Sequence, residues 1–387
     1  MMQLYGHLYA PEDRGRCLVS VADGRIGAIR PLEMSEAVPG GALGGPRARL
    51  LPGLLDLQLN GAFGHDFADP HADLDTICAG LPRFGVTGFV PTVVTAPRAA
   101  YGPVLANLHR APVVGAARVL GVHLEGPYLS PRHPRAHDPA QLRLPDLAEA
   151  AAWLDAGDVR MVTLAPELPG ALELIRFLHE RGVLVSMGHS DATWAEAAAG
   201  AAAGIGYGTH LFNAMRPLHH RDPGLAGYLL ASQLPVGFIG DGNHLAFETI
   251  ALLARIKAPD ELVLVTDALA GLGMPPGPYE LAGRTYHSDG TAGRLPDGTL
   301  SGSLLPLHRA LRNLVEQAGL EPSLAVRLAT LNPARLLGLD GELGRVEEGR
   351  RADLVVVDEG WEVLATLVGG VVSYQAGGAG AETPERA

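Results

Sequence analysis

Short apolar runs alternate with amphipathic, Ala- and Leu-rich segments along most of the chain, and this alternation restricts the possible folds more than any other feature. Eight apolar runs predict β-strands at 51–60, 84–95, 118–126, 158–167, 182–190, 204–213, 235–244 and 261–268. The segments between them have helical periodicity, at 71–83, 141–156, 171–181, 192–203 and 246–257. Strands that are apolar on both faces are typical of parallel sheets covered by helices. The pattern therefore predicts an α/β fold, a closed (β/α)8 TIM-like barrel.

A doubly wound open sheet is the alternative arrangement of the same elements. That fold would be favoured by a glycine-rich phosphate-binding turn after the first strand. The GAFG at 61–64 matches such a turn poorly. The barrel is therefore the preferred prediction.

Both ends of the chain contain short β-like runs instead of this alternation. Residues 1–50 include LVSVADGRIGAI, and residues 343–375 include RADLVVVD and VLATLVGGVVSYQ. Because chain ends usually lie close together, the two segments are predicted to form one small β-sandwich domain beside a catalytic barrel at 51–342. The Gly-, Ala- and Glu-containing segment 376–387 is predicted to be a flexible tail.

The charge of the chain excludes some classes of partner. The formal net charge is −12, so neither nucleic acid nor an anionic membrane is an expected partner, and an anionic substrate would need a local cationic site. Cys17 and Cys78 are far apart in sequence and lack CxxC spacing, which predicts a reducing compartment. No signal peptide or membrane-spanning run is apparent, so we expect a cytoplasmic protein.

Polar residues cluster where the predicted strands end. These residues are Glu125, His189, His210, Asp241, His244 and Asp267. Taken singly, a histidine at a strand end can be a structural hydrogen-bonding residue, and an aspartate can be a helix N-cap. Their recurrence at the same end of successive strands instead indicates an active site, because a TIM barrel carries its active site on the carboxyl ends of its strands.

One glutamate and two histidines from different strands form a plausible site for a divalent metal ion. Glu125, His189 and His210 would supply three ligands and leave a position open for water, as in catalytic zinc sites. The same donor set also accepts Fe²⁺, Mn²⁺ and Co²⁺, although Zn²⁺ is the preferred prediction.

A set of motifs follows in fixed order along the chain: PGLLDLQLNG (52–61), HLEGPYLSPRHPRAHDP (123–139), GHSDAT (188–193), THLFNAM (209–215), RDPGLAG (221–227), DGNH (241–244), VTDA (265–268) and GTLSGS (298–303). This ordered set resembles the N-acetylglucosamine-6-phosphate deacetylase family of the amidohydrolase superfamily. The resemblance implies hydrolysis of the N-acetyl group of N-acetylglucosamine 6-phosphate to glucosamine 6-phosphate and acetate.

The resemblance also implies roles for individual residues. Asp267 would be the acid/base, and His137 would donate a hydrogen bond to the acetyl carbonyl. Contacts on the phosphate side are expected from Asn213, Ala214 and His244. Arg221 matches an arginine that relatives supply to the neighbouring subunit, which implies a homodimer. The last group expected at the pocket is the pair Ser303 and Leu304, which would help to close it.

The first predicted strand distinguishes one-metal from two-metal relatives. Many amidohydrolases carry HxH there, whereas this chain has Gln58-Leu59-Asn60. Neutral amides are poor substitutes for imidazole. The fourth strand ends in Pro166-Glu167 and not in the lysine that bridges two metals in some relatives. One metal ion per subunit is therefore expected.

One departure and three alternatives bear on the activity. Pro134-Arg135 precede Ala136-His137 where relatives commonly have Lys-Gly, which bears on acyl and sugar specificity.

The main alternative function is a deacetylase for N-acetylgalactosamine 6-phosphate or another N-acyl compound. An adenosine-deaminase-like enzyme would need HxH on the first strand. A catalytically silent sugar-phosphate sensor would lack the metal ligands or Asp267, and all of these are present.

Overall fold

The computed structural model describes residues 1–33, 36, 40–109, 111 and 113–377. The strands in the described residues are, in chain order, β1 (Met2–Tyr9), β2 (Asp13–Ala22), β3 (Arg25–Pro31), β4 (Leu43–Pro52), β5 (Leu54–Leu59), β6 (Gly61–Ala62), β7 (His65–Asp66), β8 (Val86–Val94), β9 (Arg118–Val119), β10 (Val122–Glu125), β11 (Val159–Leu164), β12 (Leu184–Met187), β13 (Ile205–Gly208), β14 (Val236–Ile239), β15 (Leu262–Val265), β16 (Gly277–Leu281), β17 (Arg284–Ser288), β18 (Ala292–Arg294), β19 (Leu300–Ser303), β20 (Leu354–Val357), β21 (Val363–Val368) and β22 (Val371–Gln375).

The α-helices are α1 (Leu74–Gly80), α2 (Tyr101–Leu108), α3 (Leu147–Ala156), α4 (Ala171–His179), α5 (Trp194–Ala203), α6 (Gly224–Ala231), α7 (Phe247–Ile256), α8 (Leu307–Glu316), α9 (Pro322–Leu328) and α10 (Leu331–Leu336). Short 3₁₀ turns lie at Leu81–Phe84, Arg98–Ala100, Pro139–Gln141 and Pro259–Glu261. No helix in this described part of the chain is long and apolar enough to cross a membrane.

Eight parallel strands form the barrel, in the order β5-β8-β10-β11-β12-β13-β14-β15, with β9 paired to β8. The first and last of these strands meet through main-chain hydrogen bonds just beyond β15. Asp267 N donates to Gln58 O over 2.8 Å, and Asn60 N donates to Ala268 O over 2.7 Å. The predicted barrel is therefore confirmed, and the open-sheet alternative is wrong because the first and last strands are joined.

The strands form where the sequence is apolar on both faces, and the helices form where one face is apolar. Every residue of β5 and β8 is buried. In α4 the buried residues are Ala171, Leu174, Ile175 and Leu178, which share one helix face by their spacing of three and four. Burial of each large aliphatic side chain contributes about 1.5–3 kcal/mol. This burial fixes the helices against the barrel, so that the strand ends keep their relative positions.

Both termini contribute to one seven-stranded sheet, in the order β22-β21-β20-β4-β1-β2-β3. Here β1 and β4 are parallel, and the other pairs are antiparallel. Leu4, Leu50, Val356 and Leu367 belong to its buried core. The predicted small β domain from both ends is thus confirmed as part of the fold. Its division from the barrel at 50/51 and 342/343 stays a prediction, and of the predicted tail, residues 378–387 lie outside the described residues.

A four-stranded antiparallel sheet of β16–β19 follows the last barrel strand, and we name residues 277–303 the β-insert. The sequence predicted only a closing loop at GTLSGS. The strands of the β-insert are short and partly exposed, so they lack the long apolar runs that identified the barrel strands. Tyr286 and Leu281 pack there with Val94 from the barrel, which places the β-insert beside the mouth of the barrel.

Candidate active site

A cavity of about 390 Å³ opens at the carboxyl ends of the barrel strands. Loops that follow several different strands meet there, together with residues 298–301 of the β-insert. Eight residues expected at the site from the sequence line this cavity: Glu125, His137, His189, His210, Asn213, Ala214, His244 and Asp267. The barrel therefore brings together groups that are up to 142 positions apart in the sequence.

Glu125, His189 and His210 form a buried cluster at the base of the cavity. Glu125 Oε1 lies 3.0 Å from His210 Nε2 and 3.4 Å from His189 Nε2, and the two Nε2 atoms are 3.1 Å apart. Both histidines have positive φ, at 48° and 28°. Such backbone conformations are uncommon for residues other than glycine and cluster at functional sites.

The chemistry of this donor set fits a divalent metal ion. His189 Nδ1 lies 2.9 Å from the carbonyl of His133, so Nδ1 carries the proton and Nε2 presents a lone pair to the cluster. Imidazole lone pairs and a carboxylate that point at the same small space repel one another, unless a cation lies between them. The separations of 3.0–3.4 Å match the spacing of about 3.3 Å between ligand atoms in a tetrahedral site with bonds of about 2.0–2.1 Å.

Burial and charge prepare these groups for coordination. Burial lowers the pKa of His189, which favours the neutral imidazole that binds metal. Burial alone would raise the pKa of Glu125, but hydrogen bonds and charge from His189 and His210 outweigh it and hold that pKa well below its ordinary value. Burial alone would lower the pKa of His210, but its hydrogen bond to Glu125 and the charge of that carboxylate outweigh burial and raise it. The cluster therefore offers a carboxylate and a neutral His189, and His210 gives up its proton when it binds a metal ion.

Asp267 lies two residues beyond β15 and is held by the two amides of the first barrel strand. Its Oδ1 accepts from Asn60 Nδ2 over 2.8 Å and from Gln58 Nε2 over 3.2 Å. Gln58 Nε2 also donates to Glu125 Oε1 over 3.1 Å. Burial, followed by the charge of Glu125, raises the pKa of Asp267 to about 6. A carboxyl with such a pKa can both accept and release a proton near neutral pH.

His137 faces the cavity with a hydrogen-bond donor. The main-chain N–H of Thr95 donates to His137 Nδ1 over 3.2 Å, so Nδ1 is the acceptor and Nε2 carries the proton. Burial lowers the pKa of His137 to about 3, which keeps the ring neutral. Its Nε2 lies 3.8 Å from Glu125 Oε2. No feature of the sequence predicted that Thr95 would be the hydrogen-bond partner of the His137 ring.

Three other residues that the sequence singled out, Asp241, Leu304 and Arg221, do not line the cavity. Asp241 Oδ2 lies 2.7 Å from His244 Nδ1 and fixes that ring at the cavity wall. Leu304 packs behind the wall with Val94 and Leu281 and does not line the cavity. Arg221 is exposed outside the cavity of its own chain, and its Nη1 lies 2.7 Å from His220 Nε2.

Four residues contribute to the site in ways that the sequence reasoning missed. Gln58 and Asn60 were recognised as replacements for metal ligands but not as donors to the carboxylates. The signal available in the sequence was their position on the first strand, where many amidohydrolases carry metal ligands. Arg135 lines the cavity, and its place before His137 was noted without a role. Arg284 donates to the carbonyls of Ala136 and His137, and no sequence pattern connected it to the site.

A (β/α)8 barrel with a buried Glu/His₂ cluster and an aspartate after its last strand defines a metal-dependent hydrolase. The sequence pattern of the amidohydrolase family matches residues 49–373. The chain belongs to the amidohydrolase family, whose members use a divalent metal ion.

Within this family the chain is similar to deacetylases of N-acetylhexosamine 6-phosphates. It is 40% identical to the human N-acetylglucosamine-6-phosphate deacetylase, with 84% of each chain covered. It is 37% identical to the N-acetylgalactosamine-6-phosphate deacetylase of Escherichia coli O157:H7, over 90% of this chain and 93% of that one. A solved N-acetyl-D-glucosamine-6-phosphate deacetylase variant from Mycobacterium smegmatis, in complex with N-acetyl-D-glucosamine-6-phosphate, matches with a TM-score of 0.88 and 34% identity, over 96% of this chain and 99% of that one.

Proposed function

We propose that this chain is a deacetylase that hydrolyses N-acetylglucosamine 6-phosphate to glucosamine 6-phosphate and acetate. The observation that carries the proposal is the placement of Asp267 and the His137 Nε2–H around the cluster of Glu125, His189 and His210 in one cavity. Relatives with this activity cover most of the chain. Hydrolysis of an amide needs these three functions together, namely an activated water, a proton shuttle and a donor for the carbonyl oxygen.

Glu125, His189 and His210 would hold one divalent ion, with Zn²⁺ as the proposed metal. When bound, such an ion would acidify a water molecule and polarise the acetyl carbonyl. The side-chain amides of Gln58 and Asn60 point their N–H groups at carboxylates. They therefore stabilise negative charge where relatives with HxH bind a second ion, which supports a single-metal site.

Asp267 is the proposed proton shuttle. As a carboxylate it accepts a proton from the attacking water, and it then passes that proton to the amide nitrogen. Protonation is required at this point because an amine leaves far more easily than an amide anion. The neutral His137 donates from Nε2 to the carbonyl oxygen as negative charge develops there.

The phosphate end of the substrate is proposed to lie against Asn213, Ala214 and His244, which line the cavity after β13 and β14. Among the described residues Arg135 is the only arginine or lysine that lines the cavity. A further cation is therefore expected from outside the chain. We propose a homodimer in which Arg221 of the partner subunit supplies it, since Arg221 is exposed outside its own cavity.

The proposed cytoplasmic location, and the proposal that nucleic acid is not a partner, are supported by general features of the chain. Cys17 and Cys78 are buried and are not joined to each other, which suits a reducing cytoplasm. The net charge of −12 does not suit binding to nucleic acid.

The test is acetate release from N-acetylglucosamine 6-phosphate, with the metal content of the same sample measured in parallel. Turnover that requires about one metal ion per chain is expected. Asp267→Asn should lose turnover and keep the metal, because it removes the proton acceptor but no ligand. Metal binding without turnover on this substrate would overturn the proposed substrate.

A second candidate substrate is the C4 epimer, N-acetylgalactosamine 6-phosphate, and it rests on the 37% identity to an enzyme of that name. Both sugars and unphosphorylated N-acetylglucosamine should be compared by kcat/KM. A preference for the galacto epimer would replace the gluco assignment and keep the mechanism. Equal turnover of the unphosphorylated sugar would contradict the phosphate contacts.

A further inference from the structure

The β16–β17 hairpin of the β-insert ends in a tight turn beside the active-site cavity. Its two turn residues, Ala282 and Gly283, have φ of 47° and 78°, the conformation that two-residue hairpin turns require. Leu281, just before the turn, lines the cavity. The turn is held by Asp66, a buried residue whose Oδ2 accepts from Ala282 N over 2.5 Å. The hairpin tip is therefore fixed to the barrel.

Arg284 is the first residue after this turn, and it reaches the loop that carries His137. Its Nη1 donates to the carbonyl of Ala136 over 2.8 Å and to the carbonyl of His137 over 3.0 Å. Arg284 is half-buried, so its charge is screened less than that of a fully exposed arginine. One side chain thus restrains two consecutive peptide groups across a sequence separation of 148 residues.

These contacts complement the hydrogen bonds on the His137 ring. Thr95 restrains the ring at Nδ1, and Arg284 restrains the main chain of the same residue. Arg135, two residues before His137, has a φ of 50°, a conformation that costs a non-glycine residue of order 1–2 kcal/mol. Without the contacts from Arg284, the loop is free to relax away from this conformation and to carry the ring with it.

We infer that Arg284 is a positioning residue for the deacetylation, acting through His137 and not on the substrate. It holds the Nε2–H of His137 in the direction of the acetyl carbonyl, and it links the β-insert, which forms one wall of the cavity, to that donor. The inference rests on the proposed function, because it assigns His137 the role of carbonyl donor.

Arg49 provides a matched control in the same chain. Its Nη1 also donates to two consecutive carbonyls, those of Asp358 (2.8 Å) and Glu359 (2.7 Å), and it is also half-buried. It lies on β4 of the terminal sheet, away from the cavity. Its guanidinium also lies over the Trp361 ring, 4.5 Å from the centroid. Arg49→Gln therefore removes the same pair of carbonyl contacts, together with this stacking, without touching the His137 loop.

The experiment is a double-mutant cycle on the metal-loaded enzyme, with Arg284→Gln, His137→Asn and both together. We expect Arg284→Gln to lower kcat about tenfold or more with little change in KM, because misplacement of a catalytic group is costly. His137→Asn should lower kcat about a hundredfold. The double variant should be no slower than His137→Asn, because Arg284 has no further effect once the donor is gone. Arg284→Lys should restore part of the lost kcat, and Arg49→Gln should keep the wild-type kcat.

Metal content and thermal unfolding of each variant separate a positioning role from a structural one. Retained metal and a cooperative unfolding transition in both Arg284→Gln and Arg49→Gln, with kcat lowered only in the first, would support the inference. Losses in kcat that multiply in the double variant would overturn it, as would a kcat of Arg284→Gln equal to that of Arg49→Gln. If Arg284→Gln does not fold, the same cycle is made with Arg284→Lys. A wild-type enzyme that releases no acetate would instead overturn the proposed function.

Discussion

Asn60 donates its side-chain amide to the carboxylate of Asp267 over 2.8 Å, at the point where the first and last strands of the barrel meet. A hydrogen bond to the ionised form of a carboxyl lowers its pKa. It opposes the burial that raises the pKa of Asp267 to about 6. The amide that stands in the place of a metal ligand thus adjusts the acidity of the proposed proton shuttle.

Replacement of Asn60 should therefore change the pH dependence of the reaction. Asn60→Leu removes the donor at similar size, so the pKa of Asp267 should rise further. Because the base must be ionised to accept a proton, the acidic limb of kcat/KM should move to higher pH. The measurement is a pH–rate profile of wild type and variant at saturating metal. A limb that stays in place or moves to lower pH would argue against Asp267 as the base.

Lys257, the only lysine in the chain, should contribute strongly to stability. Its ammonium is buried and donates to the carbonyls of Leu229, Ser232 and Leu234. It also lies 3.0 Å from Glu261. Lys257→Met leaves those carbonyls and the carboxylate without their cation, and should lower the free energy of unfolding by about 3–5 kcal/mol. Urea denaturation gives this value.

A matched double variant tests the cause of that loss. Lys257→Met combined with Glu261→Gln removes the uncompensated carboxylate and should recover part of the lost stability. The same kcat in wild type and Lys257→Met, measured below the unfolding transition, is also expected because the residue lies outside the cavity. A loss below 1 kcal/mol would contradict a structural role for this cation.

His308 should make stability depend on pH. The ring is buried and stacks on Phe84 at 6.0 Å, and burial lowers its pKa from 6.5 to about 4. Between these values the unfolded chain binds a proton that the folded chain does not. Stability is therefore lost as the pH falls from 6.5 to about 4, by about 1.4 kcal/mol per pH unit. His308→Phe should reduce this slope in urea titrations, and an unchanged slope would exclude His308 as its source.

Arg135 should be replaceable by glycine with a gain in stability. Its φ of 50° is accessible to glycine without steric cost, whereas a Cβ makes it unfavourable. Arg135→Gly should raise the free energy of unfolding by about 0.5–1 kcal/mol. Arg135→Ala is the control, because it removes the same side chain but keeps the Cβ. Equal stability of the two variants would show that the backbone at this position carries no strain.

The order of the elements and the placement of the central groups could be predicted from the sequence. The apolar runs predicted the eight barrel strands, and the closed barrel brings their carboxyl ends to one face. Glu125 is the last residue of its strand, and His189, His210 and Asp267 lie two residues beyond theirs. Local sequence position was therefore enough to predict that these residues meet. The pairing of the two chain ends was predicted in the same way, from their short alternating runs.

Contacts between distant segments were decided only by the tertiary structure. The β-insert lacks long apolar runs, so its strands were not predicted, and the link from Arg284 to His137 depends on where that hairpin packs. The tautomer of His137 depends on the Thr95 N–H, and the acidity of Asp267 depends on Asn60 and on burial. The periodicity of a sequence predicts helices and strands because each of these elements depends on local backbone geometry and on one continuous apolar face. Hydrogen-bond partners and pKa values depend on distances between segments that only the packed barrel sets.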